Sequence, residues 1–580
     1  MDIDIPEFLT PINRKLIEAR FEHLHLRELE PKIAPWWLRP CRVRVLMVVD
    51  GLDFSDDGFG LSTFVRTLLD VAFPVRYQVT LAHLRAAAPS EMLTGEARVA
   101  ARITEFAFDD PAHFASDKYD VVFLFGIATQ LPERTERLDA DGNPYPIDAL
   151  ATSELRAIAA YEQSGGGLFA TGDHGALGRL MGRDLPRARN MRLWNSTSGN
   201  PATDEVSMGG QRRNDTNRLG DAGSQFDDQS DAVPQTIEPR MYTAVTGFFT
   251  YSFPHPLLCG PDGIIRVMPD HPHEGECVEP DDPDQSLDYV GIDAPEYPPA
   301  TVGSRPLPEV ISTNQVLSGT VSGGKAPTQA HEFGGIAAYD GHRAGVGRVV
   351  TDATWHHFVN VNLVGDAFSI TPAKRLGFLA TPAGQEVLGQ IKAYFRNLPV
   401  WLARPENIGC MNSRLLVTIL NEDRVLEAVL TMREVPIHKI GAGTLRLIGR
   451  HARDVLGRYA SRCQTRRLIF DVIIPELIEW IPDFDPWRPR SPEEVVVVNE
   501  PFAADAVGPV AWVDVDPLVD FALGGALLAL SESLDRSRDA RAWDAERIAA
   551  VARKGAGEAV ERALADFDET IERARKTLRR

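Results

Sequence analysis

From residue 42 onward, short apolar runs alternate with amphipathic ones, and this alternation limits the fold more than any other feature of the chain. RVRVLMVVD, residues 42–50, carries Val43, Val45, Leu46, Met47, Val48 and Val49, the pattern of a strand buried on both faces in its second half. STFVRTLLD follows, with Phe64, Val65, Leu68 and Leu69 on one helical face. VTLAHL (79–84) and YDVVFLFG (119–126) read as strands, 151–163 as a helix with Leu155, Ile158 and Ala159 inward, and GGGLFATGDHG (165–175) as a fourth strand flanked by glycines. GGIAAYD (334–340) and GVGRVVTDATWHHF (345–358) resume the rhythm, and 383–396 closes it with Val387, Ile391 and Phe395 on one stripe. Strands alternating with helices predict an α/β domain, a parallel sheet covered on both faces, formed by 42–396 as one body.

The chain has 580 residues, too many for one hydrophobic core, so further domains are expected. Residues 1–41 read as a helical arm, with Ile17, Phe21 and Leu24 at helical spacing. Two stretches interrupt the α/β domain of 42–400: 195–240, rich in Asn, Asp, Gly, Ser and Arg, and 270–330, whose first part is rich in Asp, Glu and Pro. Both read as long insertions. After residue 400 the runs LLVTIL, VLEAVL and RLIFDVIIPELIEW and the Ala-, Glu- and Arg-rich end predict a mostly helical module over 401–580, with one strand-like EVVVV at 493–497. No heptad pattern is sustained long enough to mark a coiled coil. Broad stripes such as Leu468, Ile469, Val472, Ile473 and Leu477 predict that this module contributes to assembly, as a homo-oligomer or with a protein partner.

The formal net charge of -21 opposes binding to a phosphate backbone, so no nucleic-acid partner is expected. The most apolar late stretch, Pro517 to Leu530, spans 14 residues and contains Asp520. A membrane-spanning helix needs roughly 20 apolar residues. MDIDIPEFLTPINRK lacks the basic start and apolar run of a secretory signal. The expectation is a soluble, cytoplasmic protein with no membrane partner. The five cysteines, Cys41, Cys259, Cys277, Cys410 and Cys463, are widely spaced and form no CxxC pair, so all five are expected to be reduced.

Ligands of open parallel sheets bind beyond the carboxyl ends of the strands. Several such ends carry polar side chains: Asp50 and Asp53 after the first strand, Thr171, Asp173 and His174 after the fourth, and Asp352, His356 and His357 after the late strand. His255 lies between two prolines in SFPHPLL. Asp173, His174, His356 and His357 are the candidate catalytic residues; Asp50, Asp53, Thr171, His255 and Asp352 are the candidate substrate-binding residues. In an extended segment His356 and His357 would point to opposite faces, so one of them at most is expected to enter the site. Each has a structural reading as well, as a cap, a turn or a packed ring. The glycines at 51, 58 and 60 do not match GxGxxG, and no GxSxG elbow is present.

Four passages, RVRVLMVVD, YDVVFLFG, the helix running into GGGLFATGDHGAL, and GRVVTDATWHHF, resemble the ThuA-like group within the class I glutamine amidotransferase-like superfamily. The resemblance covers residues 42–396 and implies a flavodoxin-like three-layer α/β/α architecture and a relation to sugar-utilisation proteins. The amidotransferase relatives place a cysteine at the turn after the strand matching GGGLFAT. Here the turn reads Thr171, Gly172, Asp173 and His174, so a thiolate nucleophile is missing. His356 or His357 matches the late histidine of that group.

Two functions follow. One is a hydrolase or lyase acting on a polar, sugar-like small molecule by Asp/His acid–base chemistry, or with a divalent metal held by histidine and aspartate. The other is a catalytically silent, amidotransferase-like scaffold or sensor whose C-terminal module mediates assembly.

Overall fold

The computed structural model describes residues 40–459, 515–536 and 544–578. Within the first span the main breaks are 85–91, 127–135, 173–183, 194–233, 317–330 and 368–374. Shorter breaks lie at 72–73, 139–141, 143, 147–149, 247–248, 261–262, 270–275, 302–303, 421 and 433–434. The expected arm over 1–41, apart from its last two residues, the stripe at 468–477 and the strand-like 493–497 therefore lie outside the described residues.

The central strands of the sheet are buried on both faces, at every position of Val121–Gly126 and Gly167–Gly172. Strands β1 (Cys41–Asp50), β2 (Val75–Leu84), β3 (Ala101–Phe106), β4 (Val121–Gly126) and β5 (Gly167–Gly172) are joined later by β6 (Pro234–Pro239), β7 (Val267–Pro269), β8 (Glu309–Val316), β9 (His331–Tyr339) and β10 (Val349–Asp352). They line up in the order β7-β6-β8-β9-β10-β5-β4-β1-β2-β3. Two short strands, Arg192–Leu193 and Glu276–Cys277, add to this sheet beside β9. β1 pairs with β4, β4 with β5, β5 with β10 and β2 with β3 in parallel. The expectation of a parallel sheet holds only for that half. β10–β9, β9–β8, β8–β6 and β6–β7 are antiparallel, so the sheet is mixed. The cause lies in the two expected insertions. The segments 234–239 and 309–316 within them are strands, and antiparallel neighbours need no helical crossover between them.

Helices cover both faces. Residues Leu46, Val48, Val122, Leu124, Leu168 and Ala170 pack with Leu155 and Ile158 of helix α2 (Thr152–Gln163). The alternate positions face the other way, as a period of two requires. There Phe64 of helix α1 (Ser62–Leu69) meets the rings of Phe123 and Phe125 at 5.3 and 5.8 Å, and Phe395 of helix α3 (Pro382–Leu402) at 5.0 Å. This three-layer α/β/α body is the architecture expected. Both α2 and α3 start on side-chain caps. Glu154 accepts from Ala151 N at 2.9 Å, and Thr381 Oγ1 accepts from Gly384 N at 3.0 Å with Pro382 in the first turn. At the end of α2, buried Glu162 pairs with Arg187 at 3.1 Å. The backbone N of Arg187 donates to Glu296 at 2.8 Å, which anchors the second insertion to the helix layer.

The chain divides into two units, one of Arg42–Arg240 with Pro254–Ile408, the other of Met1–Cys41, Met241–Phe253 and Gly409–Arg580. The second unit is mainly helical, with α4 (Pro405–Leu420) entering it, then α5 (Asp423–Leu430), α6 (Ala442–Tyr459), α7 (Val515–Arg536) and α8 (Ala545–Leu578). Its core joins Leu416, Val425, Leu445, Ile448, Leu523, Leu527, Ile548 and Ala556. No described helix is long and apolar enough to cross a membrane.

The cysteine expectation is overturned. Cys41 and Cys410 form a disulfide across a sequence separation of 369, and Cys259 is disulfide-bonded as well. Spacing along the chain carries no information about such a pair, because the fold alone brings the two sulfurs together. Cys277 is a free, buried thiol.

Candidate functional site

The central strand order β2-β1-β4-β5-β10 reverses direction of growth at the β1/β4 boundary, and such a switch point is where doubly wound sheets open a crevice. Asp50 stands there, in register with Gly126 at the end of β4, which is in turn level with Gly172 at the end of β5. A Cβ on Gly172 would collide with the carbonyl oxygen of Gly126, so this strand end requires glycine. Asp50 is half-buried.

The loop after β1 is folded by its own acids. Asp53 Oδ1 accepts from the backbone N of Ser55 at 2.9 Å and from its hydroxyl at 2.6 Å, and Asp53 O accepts from Leu61 N at 3.0 Å. Asp56 is paired with Arg66 on the surface. Asn360, in the short helical turn Asn360–Leu363, clamps this loop from the opposite side of the switch. Its Nδ2 donates to Ser55 O and Asp57 O at 3.0 and 2.8 Å, its Oδ1 accepts from Thr63 N at 3.0 Å, and its backbone N donates to Gly60 O at 3.0 Å. The loops leaving β1 and β10 are thus bound into one rim.

Asp352, the last residue of β10, is fully buried and multiply contacted. Its Oδ1 accepts from Thr354 N at 3.1 Å, its Oδ2 accepts from the Tyr394 hydroxyl of α3 at 3.0 Å, and its backbone carbonyl accepts from Thr171 Oγ1 at 3.2 Å. His357 Nδ1 lies 2.8 Å from Asp352 Oδ1, with both side chains buried. The oxygen lies off the ring N–H direction, so the contact is close without being a linear hydrogen bond. Burial, reinforced by the Asp352 carboxylate, pushes the Tyr394 phenol well above its ordinary range, so it stays a neutral donor.

The two adjacent histidines lie in one turn of 3-10 helix over Trp355–His357, which sends their rings to different partners without an extended backbone. His357 goes to Asp352. His356, also buried, lies against Trp355 with ring centroids 3.5 Å apart, and its backbone N donates to Thr354 Oγ1 at 3.2 Å. Thr354 therefore caps the turn that aims both rings. Thr171, Asp352 and His357 come together; Asp50 and Asp53 stand at the end of β1, separated from Thr171 by β4. His255 joins neither group. It caps its own turn, accepting from Leu257 N at 3.3 Å, and packs edge-on against Trp401 at 5.0 Å. Trp401 in turn lies under Arg348, which precedes β10, so His255 belongs to the end of the sheet where the strands enter. Asp173 and His174 lie outside the described residues.

Three nearby groups escaped the sequence reading. His83, buried at the carboxyl end of β2, faces Phe54 at 5.7 Å; burial pushes its imidazole below the usual value, against the pull of Asp53. Its place at the end of VTLAHL was the signal. Arg192, also buried, donates to Ala353 O at 2.7 Å just past Asp352. Cys277 sits 3.4 Å from Thr351 O, and burial pushes its thiol up to about 12, which removes it as a nucleophile at neutral pH. Among the described residues no three His, Cys, Asp or Glu side chains converge to hold a metal ion. No protein-family model matches the chain, and neither a curated protein nor a solved structure matches it.

Proposed function

We propose that the protein is a hydrolase or lyase acting on a polar, sugar-like small molecule at the carboxyl edge of the sheet, with His357 as the base and Asp352 as its orienting acid. One observation carries the reading: a carboxylate fixed by Thr354 and Tyr394 holds an imidazole at 2.8 Å at the end of β10, on the sheet edge that carries the switch point. An acid that holds a histidine in one orientation makes the second ring nitrogen a directed proton acceptor near neutral pH. The resemblance to ThuA-like domains supports the substrate class. Donors for a divalent metal belong to this reading through Asp173, His174 and a late histidine, and no step here depends on one. The Cys41–Cys410 bond supports an oxidising compartment as the site of action, in place of the cytoplasm, where thiols are kept reduced.

A second reading, the catalytically silent scaffold, is favoured by a separate observation: Asp352 and His357 are buried and off-axis, as a purely structural pair would be. Full-length protein offered a panel of lactones, sugar acids and glycosides separates the two. The enzyme reading expects turnover of one class, reduced at least about 100-fold in His357→Gln with an unchanged melting midpoint. No turnover across the panel favours the scaffold, while turnover lost only through unfolding of His357→Gln keeps an enzyme but removes His357 as its base.

A further inference from the structure

Helix α8 has 34 residues, about 51 Å at ~1.5 Å per residue. Its first half is packed into the helical core through Ile548, Ala552, Gly555, Ala556, Ala559 and Ala563. The second half is exposed at nearly every position from Leu564 to Leu578. Yet that half carries an apolar stripe, Leu564, Phe567, Ile571, Ala574 and Leu578, at alternating spacings of three and four. These are successive a and d positions of a heptad pattern. Leu564, Phe567 and Leu578 are 46%, 59% and 87% exposed, so the stripe faces water in the isolated chain.

The charges around the stripe say what covers it. On the outer face they pair along the helix: Asp566 with Arg562 at 2.6 Å, Glu569 with Arg573 at 2.5 Å and Glu572 with Lys576 at 3.1 Å. Asp568 and Arg575, which flank the stripe at the two e positions, make no ion pair among the described residues. In an antiparallel pair of helices, e positions meet e positions of the partner. Setting Ile571 against the partner's Ala574 also sets Phe567 against the partner's Leu578, and brings Asp568 toward the partner's Arg575 on one side of the seam. The threonines at the g positions, Thr570 and Thr577, meet on the other. A parallel pair would set Thr570 beside Arg575 and leave Asp568 unmatched.

We propose that residues 564–578 of α8 pair with the same segment of a second copy of this chain as a short antiparallel coiled coil. The proposal is independent of the catalytic reading. The seam is only two heptads long, but its helix is already nucleated by the packed first half, so pairing does not bear the cost of starting a helix.

Sedimentation of the full chain over about 1 to 200 µM, a range that brackets weak association, tests it. The expected result is a concentration-dependent shift from the 63.9 kDa chain to twice that mass. Phe567→Asp, at an exposed position that leaves the fold intact, abolishes the shift. Asp568→Arg weakens the dimer about tenfold through two symmetry-related contacts, and adding Arg575→Asp restores it. A chain that stays monomeric throughout overturns the proposal. So does a dimer indifferent to Phe567→Asp, or one that the charge swap fails to restore.

Discussion

The sheet unit and the helical unit fill their interiors in opposite ways. Between the sheet and the α1/α3 layer, rings do the filling: Phe64, Phe123, Phe125, Phe169, Phe358 and Phe395 contact one another at centroid distances from 5.0 Å upward. The helical core is rich in alanine, with Ala522, Ala526, Ala552, Ala556 and Ala559 buried in it, and where α7 crosses α8, Gly525 meets Gly555 and Ala559 while Ala529 meets Gly555. A Cβ on Gly525 would collide with the carbonyl oxygen of Gly555, and a Cβ on Gly449 of α6 with that of Asp520. A layer of rings tolerates no missing volume, while helices whose backbones touch tolerate no added atom. Loss and gain of volume are therefore expected to injure different halves of one molecule.

The largest effect is expected from Phe64→Ala, which removes a ring that meets four others and should cost about 4 kcal/mol in a denaturant titration. A loss under about 1 kcal/mol would show that the ring layer repacks freely, and the comparison would break. Next comes Gly525→Ala. Helix propensity alone favours alanine by about 1 kcal/mol. The collision with Gly555 reverses the sign, so a destabilisation of about 2 kcal/mol is expected from the same titration. A neutral or more stable variant would mean that the two backbones are not in contact.

The smallest effect is a slope. Burial pushes the Glu162 carboxyl up to about 8, although the Arg187 guanidinium at 3.1 Å pulls it down; desolvation is the larger influence at a site closed to water. The folded state then holds a proton that the unfolded chain releases from about pH 4.5. The stability this contributes is complete below that pH and drains away as pH rises toward about 8. The drain is at most about 1.4 kcal/mol per pH unit. Thermal midpoints measured from pH 5 to pH 8 should fall less steeply in Glu162→Gln than in the native chain. Equal slopes would place the charge balance of this pair elsewhere.

Local pattern made the parallel half of the sheet legible. RVRVLMVVD, YDVVFLFG and GGGLFATG are β1, β4 and β5, and the helices at 151–163 and 383–396 correspond to α2 and α3, the latter running on to Leu402. Direction was not legible for GGIAAYD, because a buried apolar strand reads the same in either sense. EVISTNQV, now β8, lay inside the 270–330 stretch read as a long insertion, though its β-branched residues were a strand signal. At the candidate site, Asp352 and the late histidines were readable from their place after a strand. The division of labour between His356 and His357 was not, since it depends on a 3-10 turn set by the Thr354 cap. Asn360 gave no signal at all: its role arises from a loop about 300 residues earlier in the chain.

The Cys41–Cys410 bond has a topological consequence. Everything from the first residue of β1 to the sixth residue of α4 lies on a closed covalent ring, and that ring contains the whole sheet and both long insertions. A linear chain cut once becomes two molecules; a ring cut once remains one. A single nick in either insertion therefore severs the direct peptide path between the rims of the switch point but leaves them tethered by the other arm of the ring, through sulfur. Only a second cut, or a reductant, gives the pieces freedom to part.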